Sequence, residues 1–129
     1  MTDTEEGDAA EMLVSVIICT YDPAMYEHFL EAVESVQEQS HEPLEIVIVV
    51  DGGAELYHRV ADRYQGMTDI TTLVTKANLG LSSARNIGID HATGEVIAFM
   101  DDDAVADSRW IEELIRVYTE SDASPSGAE

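Results

Sequence analysis

At 129 residues, 45% of them hydrophobic, the chain fits a single domain able to bury roughly two thirds of the surface that its unfolded form exposes. Against 27 Asp and Glu stand 6 Lys and Arg, a net charge of -21; nothing in that balance can neutralise a phosphate backbone, which excludes nucleic acid as a partner. Self-repulsion on this scale is screened when the Debye length falls to about 3 Å near 1 M salt, so the composition fits the cytoplasm of a salt-accumulating halophile.

In chain order, residues 1–11 carry five acids and no base and read as a mobile tail. They lack the basic region and apolar stretch of a signal peptide, and no run of about 18 apolar residues follows anywhere, so the chain is expected neither to span a membrane nor to be exported by such a signal. The first strand is expected over Leu13–Thr20, an apolar run rich in β-branched residues. It holds Cys19, the one cysteine, which has no partner for a disulfide and fits a reducing cytosol.

Asp22 and Pro23 then give a helix start: the aspartate accepts from orphan amides, and proline occupies the first helical position, where its missing donor costs nothing. Met25, Phe29, Val33 and Val36 line one face of that helix. A second strand is expected over Leu44–Val50, a helix from Ala54 to Tyr64 with Leu56, Val60 and Tyr64 on one stripe, and a third strand over Ile70–Thr75. Next come a helix from Leu81 to His91 with Leu81, Ala84 and Ile87 inward, a strand over Val96–Met100, and a helix from about Ser108. That last helix shows Ile111, Leu114, Ile115 and Tyr118 on one stripe, with Glu112 and Glu113 early and Arg116 late, as the helix dipole favours. Residues 119–129 read as a second mobile tail, which leaves 12–118 as the folded domain. The alternation implies an α/β fold, an open and mainly parallel sheet of about four strands with helices on both faces. Nearly continuous apolar runs imply strands buried on both faces.

In such a sheet, ligands bind beyond the strand carboxyl ends, where the strand order reverses. Polar residues collect at those ends: Thr20, Tyr21 and Asp22 after the first strand, Asp51-Gly52-Gly53 after the second, Asp101-Asp102-Asp103 after the fourth. Acids converging on one rim repel one another unless something compensates them, and a divalent cation with a bound diphosphate is the expected compensator, the oxygen ligands suiting Mg²⁺ or Mn²⁺. After the third strand, Gly80 permits an unusual turn at a helix start, and Arg85, one turn further on, brings the one cation there besides Lys76. Arg85 therefore faces phosphate or base edges, or else forms a surface ion pair.

Four stretches together carry a resemblance: Ser15 to Asp22, Glu45 to Asp51, Asn78 to Gly88, and Phe99-Met100-Asp101-Asp102-Asp103. In that order and spacing they resemble the signatures of glycosyltransferase family 2, which has the GT-A fold. The resemblance implies metal-dependent binding of a nucleotide-diphosphate sugar, UDP favoured, and inverting transfer to an acceptor that the sequence does not identify. It implies that Thr20 and Tyr21 wall the base, that Asp51 accepts from the base ring, and that Arg85 steadies the nucleotide. Asp101 or Asp102 would hold the ribose, and Asp103, with Asp101, the metal. The family motif has a small residue between its acids, where this chain has Asp102. The family's base comes from a later segment, and this chain runs only 26 residues past Asp103. Asp107, Glu112 and Glu113 read as helix-start acids, so no base is nominated. A chain that binds nucleotide without turnover is the alternative.

Two other classes compete. In a haloacid-dehalogenase-like phosphatase Asp101 would attack phosphorus and Asp103 would be the acid/base, but that loop belongs on a first strand with a lysine downstream. In a phosphoacceptor receiver domain Asp51 would be the acceptor, with Asp22 and Lys76 nearby; that class needs an acid pair after the first strand and a lysine after a fifth.

The charge balance generates a first prediction. Circular dichroism melts from about 0.1 M to above about 2 M KCl are expected to show a melting temperature that climbs with salt as carboxylate repulsion is screened. A constant melting temperature would show that the acidity has no part in stability.

Overall fold

Val and Ile carry two heavy atoms on Cβ and favour extended backbone, and the four runs dense in such residues form the four strands. They are β1 (Val14–Thr20), β2 (Leu44–Val50), β3 (Ile70–Val74) and β4 (Val96–Met100), separated by α1 (Tyr26–Gln37), α2 (Ala54–Arg63) and α3 (Leu81–His91) and followed by α4 (Trp110–Ala123). The computed structural model describes residues 12–123. The expected tail at residues 1–11, and residues 124–129 of the second, lie outside the described residues, whereas α4 continues through Ala123, past the boundary that composition placed at Tyr118.

The strands form one parallel sheet in the order β3-β2-β1-β4. Strand β1 sits between β2 and β4, with Ile18 opposite both Ile48 and Met100. Successive side chains of a strand point to opposite faces, and both faces of the central pair are covered. Val14, Val16 and Ile18 of β1 and Ile46, Ile48 and Val50 of β2 join Phe29 and Val33 of α1, Leu56 and Val60 of α2, and Ile111 and Ile115 of α4 in one core. Ile17, Val47 and Val49 face the other way, onto Ala84 and Ile87 of α3. Each such aliphatic side chain contributes roughly 1.5–3 kcal/mol on full burial, so the larger core dominates stability.

Helix α3 lies close against the sheet because Gly88 has no side chain. A Cβ there would stand 2.7 Å from Ile17 Cγ2 and 3.3 Å from Val49 Cγ2, inside van der Waals contact on a rigid β-branched neighbour. That proximity fixes where the start of α3 meets the strand ends.

Three expectations need correction. Burial on both faces holds for β1 and β2 but not for the edges: Phe99 is 39% exposed on the face that α3 alone covers, and Val74, the last residue of edge strand β3, is 41% exposed on the opposite face. Leu81, expected inward, is 53% exposed at the first residue of α3. Tyr118 is 46% exposed, since the stripe of α4 leaves the sheet after Ile115. The helix start at Asp22-Pro23 is present, but its first turn, Pro23–Met25, is a 3₁₀ turn in which Asp22 caps Ala24 N.

Candidate functional site

The chain steps from β1 outward to β2 and β3, then returns to the opposite side of β1 as β4. The reversal therefore falls between β1 and β4, and the strand carboxyl ends flank a cavity of about 530 Å³ there. Thr20, Tyr21, Asp51, Gly80, Arg85 and Asp101 through Asp103 all line it. Asp22 does not: its carboxylate is committed to the 3₁₀ turn.

Across the reversal, buried Thr20 donates its hydroxyl proton to Asp102 Oδ2 at 2.8 Å. Burial pushes the Asp102 carboxyl above its ordinary value; the Thr20 bond pulls it back, and Asp103 and Asp101 push it further up. Asp102 is thus turned inward, while Asp101 and Asp103 are exposed.

Asp51 is only 6% exposed. Its Oδ1 accepts from Thr75 Oγ1 at 2.8 Å and Leu79 N at 2.9 Å, and its Oδ2 from Gly80 N at 2.8 Å. Burial alone would raise this carboxyl, but the bonds from Leu79, Thr75 and Gly80 outweigh it and hold the group below its ordinary value. The expectation that the acids at three strand ends are compensated together by one cation is corrected here, because Asp51 and Asp22 are satisfied by the chain's own donors. Thr75 was missed as a site residue. Its hydroxyl also accepts from Gly52 N at 2.7 Å and lies 2.6 Å from Ala77 O, so it ties the turn after β2 to the turn after β3. The signal for it in the sequence is a hydroxyl residue at a strand end, the same position that drew attention to Thr20.

Gly80 adopts φ 99°, ψ 162° as the residue before α3, with no side-chain cap on the helix. A side chain there would be strained, and the leading amides of α3 are left without an intrahelical partner at the cavity edge, as suits an anion. Arg85 Cζ lies 4.8 Å from the Phe99 ring centroid, and its Nη2 lies 3.9 Å from Asp101 Oδ1. With the Asp101 side chain 72% exposed, that pair is weak and leaves the guanidinium free to turn to a ligand. Lys76 is exposed and does not line the cavity.

Apolar walls were not foreseen: Ile17, Cys19, Ala84 and Met100 floor the cavity. The Cys19 thiol is pushed up to about 11, mainly by burial, with Arg85 lowering it and Asp51 and Asp102 raising it. It stays protonated at neutral pH and is no nucleophile.

Among the described residues no three His, Cys, Asp or Glu stand close enough to hold a metal by themselves. Asp101 and Asp103 fit a different arrangement, one or two carboxylates on a cation whose remaining ligands are phosphate oxygens and water, as is usual for Mg²⁺. The receiver reading fails on Asp51, whose carboxylate is buried under three donors rather than open to a phosphodonor. The phosphatase reading fails on Asp101, which ends an edge strand beside the first strand rather than the first strand itself.

A crevice at the reversal of an open parallel sheet, polar at the rim and apolar at the floor, defines the chain as an α/β ligand-binding domain of the doubly wound kind. Solved structures narrow the fold. S. aureus TarS 1-349 in complex with UDP-GlcNAc superposes with a TM-score of 0.73 at 22% identity over 86% of this chain and 32% of that one. The mannosyltransferase PcManGT from Pyrobaculum calidifontis, in complex with GDP-Man and Mn²⁺, gives 0.71 at 25% identity over 89% and 33%. The fold is thus GT-A, as expected. The family model described as Glycosyl transferase family 2 matches residues 15–126. A glucosyl-dolichyl phosphate glucuronosyltransferase of Haloferax volcanii is 47% identical over 107 residues, covering 83% of this chain and 34% of that protein. The putative glycosyltransferase EpsH of Bacillus subtilis is 33% identical over 103 residues, covering 80% and 29%. The chain belongs to glycosyltransferase family 2, and it spans about a third of the length of these relatives.

Asp51→Asn is predicted to cost about 2 kcal/mol at neutral pH, the scale of hydrogen bonds to a buried charge, and Thr75→Val about 1 kcal/mol. The folded carboxyl lies below the usual 3.8. Its stabilisation is therefore present above the unfolded value of about 3.9 and lost as pH falls through the folded one. Chemical denaturation in high salt should show the gap between wild type and Asp51→Asn narrowing below about pH 4. A gap that stays constant to about pH 2 would contradict the depressed carboxyl.

Proposed function

We propose that the chain is the donor-binding part of an inverting glycosyltransferase that takes a nucleotide-diphosphate sugar, a UDP-sugar in the first instance, with Mn²⁺ or Mg²⁺. The observation that carries this reading is that Asp51, the open start of α3, Arg85 and the aspartate string line one cavity at the sheet reversal. Asp51 has three of roughly four acceptor positions filled by the chain. The remaining lone pair on Oδ2 is available for one base N–H, and Thr20 and Tyr21 wall the same region. Asp102, anchored by Thr20, sets the path of the string and on this reading would take a ribose hydroxyl, a role for which Asp101 is the alternative. Asp103 and Asp101 would hold the metal, which when bound neutralises the charge that develops on the diphosphate leaving group. Arg85 supplies a further positive charge to the same oxygens.

None of the acids just past the string is assigned as base. Asp107 accepts from Arg109 N at 2.9 Å, and Glu112 from Ser40 Oγ at 2.8 Å. The acceptor-binding and proton-abstracting groups are accordingly assigned to no described residue, and nucleotide binding without turnover is the fallback for this chain alone. The two structural neighbours carry different nucleotides, UDP-GlcNAc and GDP-Man, so the base is the least constrained part of the reading. The likeness to the Haloferax volcanii protein makes a dolichyl-phosphate-linked sugar the first acceptor to test, and with the acid-rich surface it supports work in a salt-rich cytoplasm. Among the described residues no helix is long and apolar enough to cross a membrane.

Calorimetry in high salt tests the reading. UDP is expected to bind about tenfold or more tightly with Mn²⁺ than without, and Asp103→Ala to abolish that gain while the surface control Glu31→Ala preserves it. Equal affinity with and without metal would remove the metal role; tighter binding of GDP than UDP would reassign the base alone.

A further inference from the structure

Helix α4 starts late. Its sequence pattern places the start near Ser108, yet regular helix begins at Trp110. Its lead-in is a turn in which Asp107 O accepts from Trp110 N at 3.0 Å and Asp107 Oδ1 from Arg109 N at 2.9 Å, and a side chain just past the end of α1 is bonded into it. Gln39 is 8% exposed; its Oε1 accepts from Ile111 N at 2.9 Å, and its Nε2 donates to Asp107 O at 2.6 Å and to Ser35 O at 3.1 Å. Ile111 N and Asp107 O stand four residues apart and would bond to each other if the helix ran back one more turn. The Gln39 carboxamide takes the place of that rung and holds both groups.

The grip extends along the loop. Ser35, also 8% exposed, donates to Ala32 O at 2.7 Å and accepts from Ala106 N at 2.9 Å. Ser40 N donates to Ser108 O at 2.9 Å. At its front the same loop is tied by the Thr20 bond to Asp102. Asp103 lies between the front and rear ties. Burying an amide and a hydroxyl is costly unless they are fully partnered, and the partners of these two outside α1 are Ala106 N and Asp107 O of the loop that follows the aspartate string and Ile111 N in the first turn of α4.

We propose that Gln39 and Ser35 are positioning residues of the donor site, which fix the loop from behind and thereby place Asp103 at the cavity. The proposal rests on the donor-site reading above. Neither residue lines the cavity or touches a ligand. Gln39→Met fills the same volume but removes the acceptor of Ile111 N and one of the two donors to Asp107 O, which keeps only Trp110 N, so the loop loses its rear tie. Ser35→Ala removes the acceptor of Ala106 N and the hydroxyl bond to Ala32 O within α1, and gives a milder second variant should Gln39→Met fail to fold. Ser40→Ala, which removes only the exposed bond to Glu112, is the control.

Two measurements on the 129-residue chain in about 2 M KCl decide the matter. Amide exchange followed by NMR should rise several-fold at Ala104 and Ala106, whose amides are bonded to Asp101 O and Ser35 Oγ, in Ser35→Ala and Gln39→Met, with β1 and β2 amides unchanged. Unchanged loop exchange, or an equal rise in the sheet, overturns the clamp. Binding should then split: the Mn²⁺-dependent affinity for UDP falls about tenfold in both variants, while UMP without metal binds within about twofold of wild type. Equal losses for both ligands, or none for either, overturn the positioning role. If the wild-type chain binds no nucleotide, the donor-site reading fails and takes this role with it; wild-type binding with unaffected variants defeats the positioning role alone.

Discussion

Parallel pairing of β1 with β2 on one side and β4 on the other is the constraint from which the rest follows. Because all strands run the same way, every strand carboxyl end lies along one edge of the sheet, and the residues just after each end become neighbours however far apart they are in the chain. Thr20 and Asp102 are 82 positions apart and share a hydrogen bond. Such a sheet is stable only if both faces of its centre are covered, which is why β1 and β2 lack polar alternation and why α3 must lie close enough for Gly88 to touch Ile17.

In a chain with this excess of acid, the question at the site is which carboxylates the fold satisfies and which it leaves open. Asp22 is used on a turn. Asp51 is the more consequential case. It is buried under three donors of the loop between β3 and α3, so it acts as the tie that sets the turn before α3 as well as a wall of the cavity. Asp102 is satisfied by Thr20. What remains is a small set with loosely held charges: Asp101 and Arg85, which stand 3.9 Å apart with the carboxylate largely exposed, and the exposed Asp103. The proposed ligand, a metal-bound diphosphate, would complement such a set, positive metal for the acids and phosphate oxygens for the arginine.

Most of the fold was legible because the pattern that encodes it is local. Continuous Val and Ile runs gave the strands to within a residue, and the Asp22-Pro23 pair gave the 3₁₀ turn that leads into α1. Errors cluster where a non-local contact decides. Leu81 has helical spacing with Ala84 and Ile87 but sits at the helix start, beyond the edge of the sheet that would cover it. The expected start of α4 near Ser108 lies just before its first regular residue, Trp110, but nothing local signals that Ile111 N is bonded to a side chain 72 positions away. At the site, the acids at the strand ends were found by their position, but their partners were not. Thr75, Leu79 N and Gly80 N became visible only once β2 and β3 were side by side, and the apolar floor at Cys19 and Ala84 only once α3 was packed.

The central claim is that ligand and metal meet at the reversal between β1 and β4. Paramagnetic broadening by Mn²⁺ tests it most directly. With UDP and substoichiometric Mn²⁺ in high salt, amide signals of Asp101 to Asp103, of Thr20 and Tyr21 and of the first turn of α3 should broaden, while Ser15, Glu45 and Gly94 at the opposite edge of the sheet keep their intensity. Broadening spread evenly over the acidic surface, or centred on the Glu45 edge, would contradict the account.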